Sequence, residues 1–174
     1  MPNKRGATIP PMGARRAKLS LSMQYATEHP DVPVRSRLRA FAQAALERSA
    51  QVTLRLVDEA EGRRLNRDFR GKDYPTNVLT FVYADGDRLA GDIVLCAPVI
   101  AAEARSQHKD PQAHYAHLVV HGMLHLQGYD HEDEDAAAAM EARETEIVTE
   151  LGYPDPYALV APGRAQTASP RNAR

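Results

Sequence analysis

The chain has 174 residues, of which 43% are hydrophobic and 26% are charged, and this composition suits one domain with a single core. No apolar run approaches the roughly 20 residues of a membrane-spanning helix. The N-terminus also lacks the hydrophobic segment of a secretory signal, so the sequence argues against membrane and secreted proteins. The single cysteine, Cys96, cannot form an internal disulfide and lies in the apolar run IVLC. We therefore expect a buried thiol and a cytoplasmic protein.

Positive charge is concentrated at the two ends of the chain. Residues 1–18 contain five basic residues, residues 161–174 contain three, and neither segment contains an acid. The net charge of -1 therefore hides an acidic body. We predict a disordered basic extension at 1–17, a folded domain at 18–160 and a disordered basic tail at 161–174. Basic ends on an acidic body suit a nucleic-acid partner, and they equally suit solubility alone.

Strands and helices are predicted to alternate in the first half of the chain. Residues 18–26 and 51–58 alternate apolar and polar side chains, as half-buried strands do. Between them, residues 34–49 place apolar side chains at the helical period. A short helix is predicted to follow at about 59–69.

A hairpin and three helices are predicted for the rest of the chain. Residues 78–83 are rich in strand formers, and a turn at 85–87 leads to a return strand at 92–96. The helices are predicted at 98–107, 110–127 and 132–151. This order of elements predicts a single α+β domain in which a small mixed four-stranded sheet packs with about five helices.

The helix predicted at 110–127 is the centre of this fold. Asp110 is a suitable N-cap, and Pro111 suits the first helical position because its missing N–H leaves no bond unmade. The interior of the helix is apolar around its histidines, so we expect it to be buried.

The sequence HGMLHLQGYDH at 121–131 predicts a metal site on this central helix. His121 and His125 are four residues apart, so a helix directs both imidazoles to one point. Gly128 can adopt the left-handed conformation that ends a helix, which lets His131 return to the same point. Three neutral imidazoles leave one position of a tetrahedral ion open for water, as in a catalytic zinc site. We predict one Zn²⁺ per chain, although three imidazoles also suit nickel or cobalt.

The histidine spacing also matches the zincin motif H-E-x-x-H-x-x-G-x-x-H of metallopeptidases. In those enzymes the glutamate after the first histidine is the general base, whereas this chain has Gly122. A peptidase would therefore lack its base. His117 lies on nearly the same helix face as His121. A hydrogen-bonded packing role for His117 is favoured over a fourth ligand or a partner of a ligand.

Four segments carry a resemblance to a known family. They are RGKDYPTNVLTF at 70–81, GDIVLC at 91–96, AHLVVHGMLHLQGYDH at 116–131 and AMEARETEIVTELGYPDPY at 139–157. Together, over about residues 50–157, the chain resembles the bacterial YbeY family of rRNA maturation factors and single-strand-specific endoribonucleases. Asn77 and Thr80 stand where relatives often have Asp and Ser, which leaves the strand prediction intact.

The resemblance implies a site and a function. It implies zinc on His121, His125 and His131, and a functional arginine at Arg70. The implied reaction is cleavage of single-stranded RNA, in 3′-end maturation of small-subunit ribosomal RNA and in ribosome quality control. The implied partners are therefore single-stranded RNA, ribosomal RNA and the small ribosomal subunit, with a ribosomal protein or an assembly GTPase as a further candidate and no membrane.

The mechanism is left partly open by the sequence. A guanidinium matches the planar arrangement of phosphate oxygens, so Arg70 is the candidate for binding the reacting phosphate, against the alternative of a surface salt bridge. Attack on phosphorus by water and attack by the neighbouring 2′-hydroxyl both remain open. Two other functions also remain: a metallopeptidase, and a ribosome-assembly binding factor in which zinc is mainly structural.

Overall fold

A computed structural model describes residues 16–158 of the chain. Its elements are β1 (Leu19–Ala26), α1 (Arg35–Ala44), β2 (Ala50–Val57), α2 (Glu59–Arg70), β3 (Val78–Ala84), β4 (Leu89–Cys96), α3 (Ala97–Ser106), α4 (Pro111–Leu126) and α5 (Glu134–Glu150). This order confirms the predicted α+β domain with four strands and five helices. Residues 1–15 of the predicted extension and the predicted tail at 161–174 lie outside the described residues. Within 16–158, no helix has the length and apolar character needed to cross a membrane.

The four strands form one mixed sheet in the order β1-β2-β4-β3. β1 is parallel to β2, and β2 is parallel to β4. The hairpin of β3 and β4 is antiparallel, as predicted, with an irregularity between Val82 and Ala84. Within residues 16–158, β3 pairs only with β4, so it forms an edge of the sheet.

The two faces of the sheet carry cores of different size. Alternate residues of β2 and β4, such as Leu54 and Ile93, enter a large core with α1, α4 and α5. The opposite face has a smaller cluster of Val57, Leu79, Val94 and Cys96, against which Leu65 of α2 packs. Cys96 is buried, as predicted, and burial raises the pKa of its thiol to about 11. α2 and α4 therefore lie on opposite faces of the sheet.

Helix α4 is the buried central helix that its apolar interior predicts. Asp110 caps it by accepting a hydrogen bond from the backbone N–H of Gln112 at 2.8 Å, and Pro111 is its first residue. The helix contacts the sheet on one side and α5 on the other. A Cβ atom added at Gly122 would lie 3.0 Å from Cγ2 of Ile93. The absence of a side chain at residue 122 thus allows α4 to approach the sheet closely.

The prediction that the first helix extends to residue 49 is wrong. α1 ends at Ala44, because the backbone groups that follow it pair with the side chain of Gln127, the residue directly after α4. Gln127 accepts hydrogen bonds from the backbone N–H groups of Glu47 and Arg48 at 2.7 and 3.1 Å, and it donates to the carbonyl of Ala45 at 2.8 Å. The backbone therefore leaves the helical conformation before β2 begins at Ala50.

Candidate metal centre

Three histidines converge beside the edge strand β3. His121 and His125 lie on the last two turns of α4, and His131 lies in the loop before α5. One ring nitrogen from each histidine lies within 4.8 Å of the other two. The ring centroids are 5.1 Å apart for His121 and His131, 5.6 Å for His121 and His125, and 5.7 Å for His125 and His131. The three side chains that the sequence singles out are therefore brought together at a point that can hold a metal ion.

The turn after α4 brings His131 back to the helix. Gly128 has a positive φ of 103°, in the region that favours glycine. The backbone N–H of Tyr129 donates to the carbonyl of Leu124 at 3.1 Å, which closes the turn. The Tyr129 carbonyl in turn accepts a hydrogen bond from Nδ1 of His125 at 2.8 Å. The same turn thus returns one histidine and orients another.

The hydrogen bonds fix which nitrogens face a metal. A carbonyl only accepts, so the proton of His125 is on Nδ1 and its Nε2 carries the lone pair. His121 is held in the same way, because its Nδ1 lies 2.6 Å from Oε1 of Glu144. Burial and the neighbouring His121 lower the pKa of His125, which favours the neutral ring that a metal requires. Carboxylate or carbonyl partners of this kind are typical of histidines that bind metals, so the donor set fits a zinc ion.

Glu144 of α5 is a site residue that the sequence analysis missed. It is 0% exposed, and its carboxylate interacts with Nδ1 of His121, with Nε2 of His117 at 2.9 Å and with the hydroxyl of Tyr157. Burial alone would raise its pKa, but these hydrogen bonds outweigh burial and lower the pKa to about 2. The available signal was a single acid on the apolar face of α5, among Met140, Ile147 and Val148.

The other two histidines of α4 lie outside the convergence point. His117 is almost buried and is hydrogen-bonded to Glu144, the residue that also contacts His121. These contacts support the packing role predicted for His117. His114 is buried, and its Nε2 lies 2.7 Å from Oε2 of Glu103. The Glu103 carboxylate also accepts hydrogen bonds from the side chain of Asn77, at 3.0 and 3.2 Å.

A cleft of about 690 Å³ opens in front of the three histidines. One wall is strand β3 from Val78 to Val82, and Phe69 and Arg70 at the end of α2 also line the cleft. Gly71 ends that helix with a φ of 69°. Within residues 16–158, Arg70 makes no salt bridge, so the alternative of a surface ion pair has no support in this part of the chain. The cleft therefore combines a guanidinium with three converging imidazoles.

Comparison with known proteins agrees with this arrangement. The family model described as endoribonuclease YbeY matches residues 23–152. A protein of Nitrosomonas europaea named endoribonuclease YbeY is 58% identical over 142 residues, which cover 82% of this chain and 87% of that protein. The chain belongs to the YbeY family. A protein of Aromatoleum aromaticum with the same name is 63% identical over 126 residues, covering 72% of this chain and 82% of that protein.

The fold of the YbeY chain also resembles a solved structure. The solution structure of a Thermotoga maritima protein matches with a TM-score of 0.50 and 25% identity, covering 81% of this chain and 99% of that one. The family match begins at residue 23, earlier than the start near residue 50 that the sequence resemblance indicates. It includes Arg70, the three converging histidines and Glu144.

Gly122 separates this YbeY site from the zincin arrangement. In a zincin, the residue after the first histidine provides a carboxylate beside the metal. Here the Cα of that residue faces Ile93 of β4, with only 3.0 Å between an added Cβ and the Ile93 side chain. A glutamate at this position would enter the core between helix and sheet and would lie away from the cleft. The geometry thus disfavours a peptidase mechanism that uses residue 122.

Proposed function

We propose that this protein is a zinc-dependent, single-strand-specific endoribonuclease of the cytoplasm. It acts in 3′-end maturation of small-subunit ribosomal RNA and in ribosome quality control, with the small ribosomal subunit as its partner. The observation that carries the proposal is the convergence of three ring nitrogens within 4.8 Å, in a cleft that Arg70 also lines. The relatives that this chain matches over most of their length are named endoribonuclease YbeY. This name supports RNA as the substrate.

His121, His125 and His131 would hold the zinc ion. When bound, zinc supplies a Lewis acid for a phosphoryl oxygen and lowers the pKa of a water molecule to near neutrality. Glu144 and the Tyr129 carbonyl hold the rings of His121 and His125 with their Nδ1 atoms occupied. These contacts keep the metal-binding nitrogens directed toward the cleft before any ion arrives, so little reorganisation is needed on binding.

Arg70 would bind the reacting phosphate. Its guanidinium is exposed, lines the cleft and makes no salt bridge within residues 16–158. It is therefore available to a phosphodiester, whose two non-bridging oxygens match the N–H donors of the planar guanidinium. Negative charge that accumulates on these oxygens in the transition state strengthens the contact. The arginine would then contribute to the rate as well as to binding.

The direct test uses one purified preparation of the full chain. Its metal content is measured by elemental analysis, and cleavage of one RNA is compared in single-stranded and duplex form. We expect about one zinc per chain, cleavage of the single strand, loss of cleavage with a chelator and recovery with added zinc. His121→Ala, purified identically, controls for contaminating nuclease. Cleavage that is equal in the His121→Ala preparation, or that survives removal of the metal, would refute the proposal.

Arg70→Ala tests the role of the guanidinium. We expect cleavage to fall by about 100- to 1000-fold, as on removal of a donor to a developing oxyanion, while zinc content stays unchanged. Arg67→Ala is the matched control, because Arg67 is an exposed arginine one turn earlier on α2 that pairs with Asp68 at 3.2 Å. Equal cleavage by the two variants would remove Arg70 from the mechanism.

The ends of the products distinguish the two routes of attack. Attack by the 2′-hydroxyl yields a 2′,3′-cyclic phosphate, whereas attack by water yields none. RNA with a 2′-deoxynucleotide at the cleavage point remains a substrate only in the second case. Either result is compatible with the proposed function and specifies which oxygen the cleft must position.

A further inference from the structure

We propose that Phe69 is the residue that stacks on a nucleobase of the substrate and so selects single-stranded RNA. This inference rests on the proposed ribonuclease function. Phe69 is 64% exposed, although a phenylalanine in a folded domain is commonly buried. It immediately precedes Arg70, and both residues line the cleft that contains the three histidines.

The exposed ring is held in place by a second aromatic ring. Phe69 and Phe81 meet edge to face, with centroids 5.1 Å apart and ring planes at 68°. Phe81 is half-buried and packs against the small core of Val57, Leu79, Val94 and Cys96. An edge-to-face contact uses at most one face of each ring. At least one face of Phe69 is therefore left uncovered by Phe81, on a ring whose orientation is already restrained.

The core does not account for the exposed ring. Leu65, one turn earlier on α2, is the residue of this helix that packs on the small core, and the buried residues of α2 are Gly62 and Asn66. Phe69 thus adds an apolar surface at the cleft and contributes little to the packing of the helix. A side chain with this position and chemistry suits a ligand that has a flat apolar face.

A single-stranded nucleotide supplies both groups that this end of α2 can bind. Its phosphate matches the guanidinium of Arg70, and its base can stack on the ring of Phe69. In a duplex, each base is covered on both faces by its neighbours, whereas a single strand can turn a base outward to stack on an aromatic side chain. Stacking on Phe69 would therefore discriminate between the two forms of RNA without reading the sequence.

The experiment measures steady-state cleavage by zinc-loaded Phe69→Ala, Phe69→Leu and Phe69→Trp. The substrates are a short single-stranded oligoribonucleotide and versions with one abasic nucleotide at successive positions. We expect Phe69→Ala and Phe69→Leu to raise KM on the order of tenfold with little change in kcat, and Phe69→Trp to restore KM. One abasic position should raise KM of the wild type by a similar factor and should have little effect on Phe69→Ala.

Tyr25→Ala is the matched control. Tyr25 is a 38% exposed aromatic residue on β1, the opposite edge of the sheet, and Arg35 lies over its ring at 5.1 Å. It thus resembles Phe69 in its neighbouring arginine but lies outside the cleft, so KM should stay unchanged. Zinc content and thermal unfolding of every variant are measured in parallel.

The outcomes separate this inference from the proposed function. If the wild type fails to cleave RNA, the proposed function fails. If the wild type cleaves and either Phe69→Leu keeps the wild-type KM or no abasic position raises the KM of the wild type, the stacking role is overturned while the ribonuclease remains. The abasic series needs no variant, so the test holds even if Phe69→Ala unfolds.

Discussion

Two pairs of histidines on α4 lie along one side of the helix, yet their surroundings are opposite. His114 and His117 use Nε2 to bond to the carboxylates of Glu103 and Glu144, at 2.7 and 2.9 Å. Their Nδ1 atoms are buried and have no hydrogen-bond partner within residues 16–158. His121 and His125 use Nδ1 instead, and both line the open cleft. The role of each histidine thus depends on which nitrogen its neighbours occupy and on whether another element covers it.

Glu144 connects the two pairs. One carboxylate oxygen bonds to His117 and the other to His121. A buried carboxylate without partners is strongly unfavourable, so this charge is retained only because three donors surround it. The same carboxylate therefore stabilises the packing of α5 on α4 and orients a ring of the metal centre. His114 and His117, the buried pair, thus differ chemically from His121 and His125, the open pair. Glu144 nevertheless links the two pairs, because it contacts a histidine of each.

The largest expected effect that distinguishes the pairs comes from His125→Ala. We expect this variant to lose its zinc and its RNA cleavage, because only two of the three imidazoles remain. Metal affinity should fall by more than about 100-fold, beyond the range for loss of a partner of a ligand. Elemental analysis after dialysis and a cleavage assay check both. A His125→Ala protein with full zinc content would show that His125 is not a ligand, which would contradict the different roles assigned to the two pairs.

Glu144→Gln should have the next largest effect, because it alters the residue shared by both pairs. A glutamine of similar size cannot accept from all three donors, so His121 loses its fixed orientation. We expect metal affinity to fall about 10- to 100-fold, and the metal-free protein to lose on the order of 2 kcal/mol of stability. Competition with a chelator and urea unfolding measure these quantities.

The control for this variant is Glu141→Gln on the exposed side of α5. Glu141 is solvent-exposed, and its substitution by glutamine removes the same charge from the same helix. If the two variants bind zinc equally well, the carboxylate of Glu144 contributes to the metal centre only through net charge, and its contact with His121 is unimportant.

The convergence of the open pair with His131 was predictable because the distances are local. Four residues on a helix and a glycine turn are enough to specify the position of three rings, and both are visible in the sequence. Arg70 came from the family resemblance, because nothing in its own segment indicates that the end of α2 reaches the cleft. That proximity depends on the edge position of β3, and the strand order is set by long-range pairing.

Glu144 could not be placed by the same reasoning. It lies 23 residues after His121 in the sequence, and its contact depends on how α5 packs against α4. The end of α1 shows the same limit, because the residue that terminates it, Gln127, is about 80 residues away. Periodicity predicts that an element exists, whereas its end and its buried polar contacts depend on elements distant in the sequence.

His114→Ala tests the opposite side of the comparison. We expect zinc content and RNA cleavage to stay near wild type, because the ring is directed to Glu103 and away from the cleft. The free energy of unfolding should fall by about 2 to 3 kcal/mol, from the cavity and from the lost partner of Glu103. Urea unfolding of the metal-free protein measures it. Loss of zinc from a folded His114→Ala protein would show that the buried pair belongs to the metal centre.

The smallest expected effect is a change in acid stability in Glu103→Gln. Burial would raise the pKa of Glu103, but hydrogen bonds from His114 and Asn77, aided by the positive charge of Lys109, outweigh burial and lower the pKa below 4.5. The unfolded chain then binds this proton more readily than the folded one, so the carboxylate contributes stability above about pH 4.5 that is lost as the pH falls through its folded value. The glutamine variant lacks this contribution, so the free energy of unfolding should depend less steeply on pH in the acid range. Urea unfolding at a series of pH values compares the two proteins, and parallel curves would mean that the charge of Glu103 plays no part in holding His114 on the buried side of α4.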